Sequence, residues 1–271
     1  MPPDCGLVAY FAPGGGLGHM NRALAVCLPL RLRGVDARIV TNSPFAEGLA
    51  LLAKCPVVRL EGPDWAVLAR EWVTMAQPRV VVTDTFPYGL RDEWRPAPPP
   101  RLVHVARRLL TPFAIRRADF ALLIQAEPLA AGHAEALGEC LQLPGPIRLA
   151  PGQLPTPLPQ PLTRDGLTLV VHSGPAAEMD ALVALAGEPC VVISPWAAVP
   201  YYPAVNLYRR ARRIITAAGY NSMADLLGFG DRHTALAFPR TYDDQAGRLR
   251  GFFPTNVDGT PQAVEAIESL L

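Results

Sequence analysis

The sequence predicts an α/β protein of two similar lobes, each a parallel sheet flanked by helices. Three observations predict it. Short continuous apolar runs alternate with longer mixed segments, the texture of parallel strands covered on both faces. The alternation breaks once, at a proline-rich stretch, and restarts beyond it. The glycine-marked or polar segments 14–19, 84–89, 173–174, 219–222 and 243–245 each follow a run that reads as a strand. In open parallel sheets ligands bind at the carboxyl ends of strands, so these loops are expected to converge on one cleft between the lobes.

The elements follow in order. The apolar run 7–11 is too short for a helix and reads as a strand. The loop Gly14 to His19 then leads into a helix over 21–33, where Pro29 predicts a kink or an early stop. With a strand at 37–41 this opens a βαβ unit. Residues 45–54 read as helix, 57–60 as extended, 65–75 as helix and 80–83 as a fully buried strand. Residues 95–100 are proline-rich and exposed in character, and 102–106 and 120–124 supply two more strands. Prolines at 144, 146, 151, 155, 157, 159 and 161 favour an extended, polyproline-like segment. The expected division is therefore a first lobe over 1–150, a linker over 151–163 and a second lobe over 164–271. In the second lobe, 167–171, 190–193, 214–216 and 234–238 read as strands. Residues 176–186, 221–227, a segment after Gln245 and a closing segment at 263–271 read as helices.

A chain of 271 residues, half of them hydrophobic and 18% charged, buries a substantial core. A net charge of +1 provides no global field to recruit nucleic acid, and the local arginine pairs read as a solvated face. The five cysteines, at 5, 27, 55, 140 and 190, form no Cys-x-x-Cys pair and no zinc spacing, which points to reduced thiols in the cytoplasm. The N-terminus lacks the pattern of a secretory signal, and no apolar run approaches the roughly 20 residues that span a bilayer. Membrane contact is expected to be peripheral at most.

The candidate chemistry lies in the loops. Asn221 and Ser222, after the strand-like run and the turn at 217–219, are good helix N-caps, and the helix start beside them is a natural phosphate seat. Asp225, a turn further on, is placed to reach a sugar hydroxyl; an ordinary strand–turn–helix connection is the alternative. The glycines at 14, 15, 16 and 18 match neither Gly-x-Gly-x-x-Gly nor a P-loop, which argues against NAD and ATP. His19, at a helix entrance where its imidazole is favoured neutral, suits a general base, with Asp84 as orienting partner or second base. Arg22 either holds a phosphate or pairs with a carboxylate. Asp244 and Gln245 could bind vicinal hydroxyls, or an aspartate there could simply cap a helix.

Three stretches, 14–25 with its Gly-x-Gly-His element, 216–227 and 237–245, together resemble the MurG-type glycosyltransferases of the GT-B fold, which use UDP-N-acetylglucosamine. The likeness spans both lobes in order, while 61–163 carries little of it. It implies two Rossmann-like lobes, a UDP-sugar donor held by the C-terminal lobe, and an acceptor, lipid-linked or a small molecule, held by the N-terminal lobe. It implies diphosphate contacts at Gly15, Gly16, Gly18, Ser173, Gly174, Gly219, Tyr220, Asn221 and Ser222. Asp225, in place of the family's glutamate, is implied at the ribose, Asp244 and Gln245 at the donor sugar, and His19 as base; no cofactor or metal is implied. The second lobe is short, with room for four or five strands, and the turn after 171 is His-Ser-Gly-Pro, not glycine-rich. The compact length and Gly-His-Met-Asn-Arg are also similar to UDP-sugar hydrolases of this fold, and a non-catalytic nucleotide-sugar sensor is a third reading.

Overall fold

A computed structural model describes residues 6–14, 16–89, 100–187, 189–197 and 200–271. Gly15, Cys5 and most of the proline-rich stretch 95–100 lie outside these. The chain divides into two compact units, Met1–Arg148 with Val257–Leu271, and Leu149–Asn256.

The first unit is built on β1 (Val8–Phe11), α1 (Leu17–Leu32), β2 (Ala37–Thr41), α2 (Ala46–Ala53), β3 (Val57–Arg59), α3 (Trp65–Ala76) and β4 (Val80–Asp84). It continues through β5 (Arg101–Ala106), β6 (Leu122–Gln125), α4 (Ala131–Leu137) and β7 (Leu141–Gln142). The sheet order is β3-β2-β1-β4-β5-β6-β7 with every pairing parallel, so the order reverses between β1 and β4. Successive strand residues serve opposite faces: Ala9, Phe11 and Val81 pack with Ala66, Ala69 and Val73 of α3 on one side. Val8, Tyr10 and Ile39 are fully buried as well, which is why the strands read as continuous apolar runs.

Two expectations change here. The helix α1 starts at Leu17, four residues early, and runs through Pro29 to Leu32 instead of kinking or stopping. Pro29 falls in the last turn, where Arg33 N still donates to Pro29 O at 3.2 Å and Gly34 N to Arg31 O at 2.9 Å, so the lost N–H interrupts little of the ladder. The closing helix, read with the second lobe, belongs to the first unit.

The second unit contains β8 (Leu167–Val171), α5 (Ala176–Ala186), β9 (Val191–Ile193), β10 (Ala211–Ala217), α6 (Tyr220–Asp225), β11 (His233–Leu236) and α7 (Gln245–Arg250); the chain then ends in α8 (Thr260–Glu268) of the first unit. Its parallel sheet is ordered β11-β10-β8-β9. Leu169 and Ile214 face one core with Leu162, Tyr208 and Leu226; Val170 and Ile215 face the other with Leu182 of α5. Four strands agree with the short second lobe. The proline-rich segment is fastened to this unit rather than hanging as a spacer. Asn206 accepts from Gly152 N at 2.9 Å and donates to Leu154 O at 2.9 Å, and Thr156 Oγ1 donates to Tyr202 O at 2.9 Å. Prolines offer no N–H, so the few remaining amides and carbonyls make the attachment.

One buried group predicts an acid limit to stability. His104 of β5 is buried with Nδ1 3.1 Å from Thr83 Oγ1, and burial holds its pKa down to about 4 from 6.5, against the pull of Asp84. A histidine depressed in the folded state contributes stability that is complete above its unfolded value and lost as pH falls from about 6.5 toward 4. The loss amounts to about 3 kcal/mol. His104→Gln is expected to flatten the slope of unfolding free energy in that window, measured by urea titration; an unchanged slope refutes it.

Candidate functional site

The strand order reverses between β1 and β4, and the carboxyl ends of strands at such a switch point are the usual ligand position in a parallel sheet. The loop after β1 carries Gly14, whose φ of 121° favours glycine and whose N–H donates to Asn42 Oδ1 at 2.7 Å. Gly16 is the extended N-cap of α1, without a side-chain cap, and Gly18 and His19 fall in the first turn. Asp84 ends β4 and is fully buried.

These elements bring three side chains together. His19 Nδ1 lies 3.1 Å from Asp84 Oδ2. Arg22, one turn further along α1 and 1% exposed, donates from Nε to Asp84 Oδ1 and Oδ2 at 3.1 and 3.0 Å, and its Nη2 lies 2.8 Å from Oδ2. Of the two roles read for Arg22, the structure shows the carboxylate pair. Burial alone would raise the Asp84 carboxyl; Arg22 and His19 more than reverse this and hold it well below the usual carboxylate range. Burial lowers the pKa of His19, opposed by Asp84 and aided by Arg22 and Arg107. Arg22 Nη2 also approaches His19 Nδ1, at 3.3 Å, but one nitrogen cannot accept from Arg22 while donating to Asp84. The shorter contact to an ionised carboxylate decides for Nδ1–H, which leaves the lone pair on Nε2.

The surroundings keep this geometry. Thr85 sits at φ 70°, a costly conformation for a β-branched residue, and is held there by its N–H to Val105 O at 3.0 Å and its hydroxyl to Asp84 Oδ1 at 3.1 Å. The His19 ring lies 5.7 Å from that of Phe86, which meets Phe113 edge-on at 5.3 Å. A Cβ on Gly14 would stand 3.7 Å from His19 Nε2, so the glycine loop runs beside the ring edge that carries the lone pair.

In the second sheet the order reverses at β8 and β10, and both candidate turns follow these neighbouring strands. Ser173 and Gly174 lie between β8 and α5, half-buried. A Cβ on Gly174 would stand 2.4 Å from His172 Nε2, so only glycine lets the turn lie on that imidazole. His172 Nε2 is 2.9 Å from Glu178 Oε2 but not aligned as a hydrogen bond, and Glu178 takes both Nη groups of Arg240, one at 2.5 Å. Sequence reasoning missed this cluster; its signal was an acidic residue in the first turn of a helix that starts after Pro175.

At α6 the capping expectation is corrected. The N-cap is Gly219, extended at φ −68° and ψ 153°, with no side-chain cap; Asn221 and Ser222 are the second and third helical residues. The buried Tyr220 is the first residue of the helix, and its ring packs edge-on at 6.0 Å against Phe252. Asp225 is the last helical residue. The turn before α6 is fixed by Ala218 N donating to Leu236 O at 2.7 Å and by the fully buried Arg248, whose Nη1 donates to Ala218 O at 2.9 Å and whose Nη2 donates to Asp243 at 2.6 Å. Asp244 caps α7 by accepting from Gly247 N at 2.8 Å, the capping alternative weighed for this pair. Gln245 is buried and its Oε1 accepts from Phe238 N at 3.0 Å. The structure thus places His19, Arg22 and Asp84 together at the carboxyl end of one sheet, with Gly14, Gly16 and Gly18 in the adjoining loop and first turn. It places Ser173, Gly174, Gly219, Tyr220, Asn221 and Ser222 at the other.

No protein-family model matches the chain, and no curated protein matches it by sequence. Solved structures do. The glycosyltransferase SnogD from Streptomyces nogalater aligns over 98% of this chain and 95% of its own at a TM-score of 0.53 and 15% identity. The glycosyltransferase SsfS6 from Streptomyces sp. SF2575, solved with thymidine diphosphate, covers 86% of this chain and 82% of its own at 0.56 and 12%. MurG from Acinetobacter baumannii covers 97% and 89% at 0.51 and 13%. At such identities the likeness is one of fold: the chain has the two-unit, Rossmann-like fold of GT-B glycosyltransferases. Among the described residues, no helix is long and apolar enough to cross a membrane.

Proposed function

We propose that this protein is a cytoplasmic hexosyltransferase that moves a sugar from a UDP-sugar to a hydroxyl acceptor without a metal ion. The observation that carries the reading is the buried Asp84 carboxylate, paired with Arg22 and bonded to His19 Nδ1, which leaves the lone pair of a neutral imidazole on Nε2 to act as a base. In the proposed step His19 Nε2 takes the acceptor's hydroxyl proton while the acceptor oxygen bonds to the anomeric carbon. The carbon–oxygen bond to the diphosphate breaks, and UDP leaves with the electron pair.

For the donor, we assign the diphosphate to the turn at Ser173 and Gly174 and to the backbone from Gly219 to Ser222, with Gly16 and Gly18 as further candidates and Gly15 outside the described residues. A nucleoside diphosphate bound to a protein of this fold supports that class of donor. Asp225 is assigned to the ribose, and Asp244 and Gln245 to the sugar. The acceptor, lipid-linked or a small molecule, is open to experiment.

Calorimetry with UDP tests the donor assignment. Asn221→Ala combined with Asp225→Ala is expected to weaken UDP binding by about 1–3 kcal/mol, the scale of hydrogen bonds to charged groups. Unchanged affinity discards this pocket. UDP release from UDP-sugars that requires an acceptor supports transfer; release without one identifies a hydrolase with water at His19, and binding without turnover a sensor.

A further inference from the structure

The amino end of the second sheet carries a separate basic cavity of about 490 Å³, lined by Arg164, Thr168, Cys190 and Arg212 among others. Thr168 lies near the start of β8, and Arg212 is the second residue of β10. The candidate donor turns leave the opposite ends of these strands, roughly 15 Å away at the rise of a parallel strand.

Arg212 is placed here by an irregularity in the sheet. Ala211 pairs with Leu167 and Arg213 with Thr168, so Arg212 is an extra residue in the ladder. Bulges in parallel pairs are rare, and bulges often re-aim a side chain at a site. Arg212 Nε donates to Thr168 Oγ1 of the neighbouring strand at 3.3 Å, and the residue remains exposed at the cavity. Arg164 is exposed at the same cavity. Among the described residues neither arginine is ion-paired, and the nearby Asp165 is taken by Arg210 at 3.3 Å. Two guanidinium groups over a partly apolar floor, in a volume within the usual range for ligand pockets, suit an anion attached to a small carbon skeleton.

We propose that this cavity binds a phosphate-bearing small molecule through Arg164 and Arg212, at a second ligand site distinct from the donor turns. Cys190, a half-buried cysteine in the lining that forms no disulfide, reports occupancy. Inorganic pyrophosphate is the probe, and alkylation of Cys190 by iodoacetamide, followed by peptide mapping, is the readout. Pyrophosphate is expected to slow alkylation several-fold in the wild type and not in Arg164→Gln/Arg212→Gln. In Asn221→Ala/Asp225→Ala the protection is expected to persist, which separates this cavity from the donor turns. Both arginines are exposed, and matching melting temperatures verify folding. No protection in the wild type, equal protection in the arginine variant, or loss of protection in the donor-turn variant overturns the proposal. So does arginine-dependent sedimentation with phosphatidylglycerol vesicles without protection by pyrophosphate, which would mark a lipid-facing charge instead.

Discussion

Asp84→Asn is expected to lower turnover by roughly 10²–10⁴-fold, the range associated with a positioned acid–base group and its orienting carboxylate. The substituted amide can donate to His19 Nδ1 and turn the imidazole to the other tautomer, which puts the proton on Nε2 and the base out of use. The same change is expected to cost about 3–5 kcal/mol of stability, because Arg22 keeps its charge at 1% exposure and loses its carboxylate partner. His19→Ala separates the two effects. Its side chain is 16% exposed and carries no obligatory charge, so turnover falls about as far while the urea midpoint moves much less. Because the two residues act as one unit, the double variant is expected to be scarcely slower than either single one. The acid limb of the wild-type rate profile lies below 6.5, since burial depresses His19 against the pull of Asp84. In Asp84→Asn that pull is gone, so the limb of any residual activity moves to still lower pH. Full turnover in His19→Ala refutes the base assignment.

Gly259→Ala and Gly145→Ala are expected to be the most disruptive single-methyl additions in the first unit. A Cβ on Gly145 would lie 1.8 Å from Val257 O, and one on Gly259 would lie 2.0 Å from Gly145 O. Both obstacles are backbone, which no rotamer change relieves. Here the returning chain docks: Gly259 N donates to Pro146 O at 3.0 Å, and Thr260 Oγ1 accepts from Arg148 N at 3.0 Å and donates to Arg148 O at 3.1 Å. Beyond the seam, Ala263, Val264 and Ile267 of α8 are fully buried. Displacing the seam exposes them, at about 1.5–3 kcal/mol for each larger aliphatic side chain. Each alanine variant is therefore expected to lose at least about 3 kcal/mol in urea denaturation and to admit protease at α8. Gly251→Ala, which meets nothing within 4 Å, is the control and is expected to stay within about 0.5 kcal/mol of wild type. A Gly259→Ala protein as stable as the control would show that the closing segment is not held at this seam.

What the sequence settled by itself is local. Runs such as Val80 to Thr83 and Leu167 to Val171 read as covered strands because they are short, largely apolar and rich in β-branched residues, and both are strands. Loops after those strands had to lie at the carboxyl edge, so Gly14, His19, Asp84, Gly174 and Gly219 were all nameable as site candidates from their spacing alone. The cap at Gly219 was missed because a glycine shows no side-chain acceptor, whereas Asn221 and Ser222 do.

Only the tertiary structure decided which candidates meet. His19 and Asp84 stand 65 residues apart, and β1 pairing beside β4 brings them within 3.1 Å. The register shift that makes Arg212 an extra residue in the ladder, and the return of 257–271 to the first unit, likewise leave no periodic mark in the chain. Periodicity reports whether a residue is buried. It does not report against which distant residue, because register and strand order are set by packing across the whole sheet.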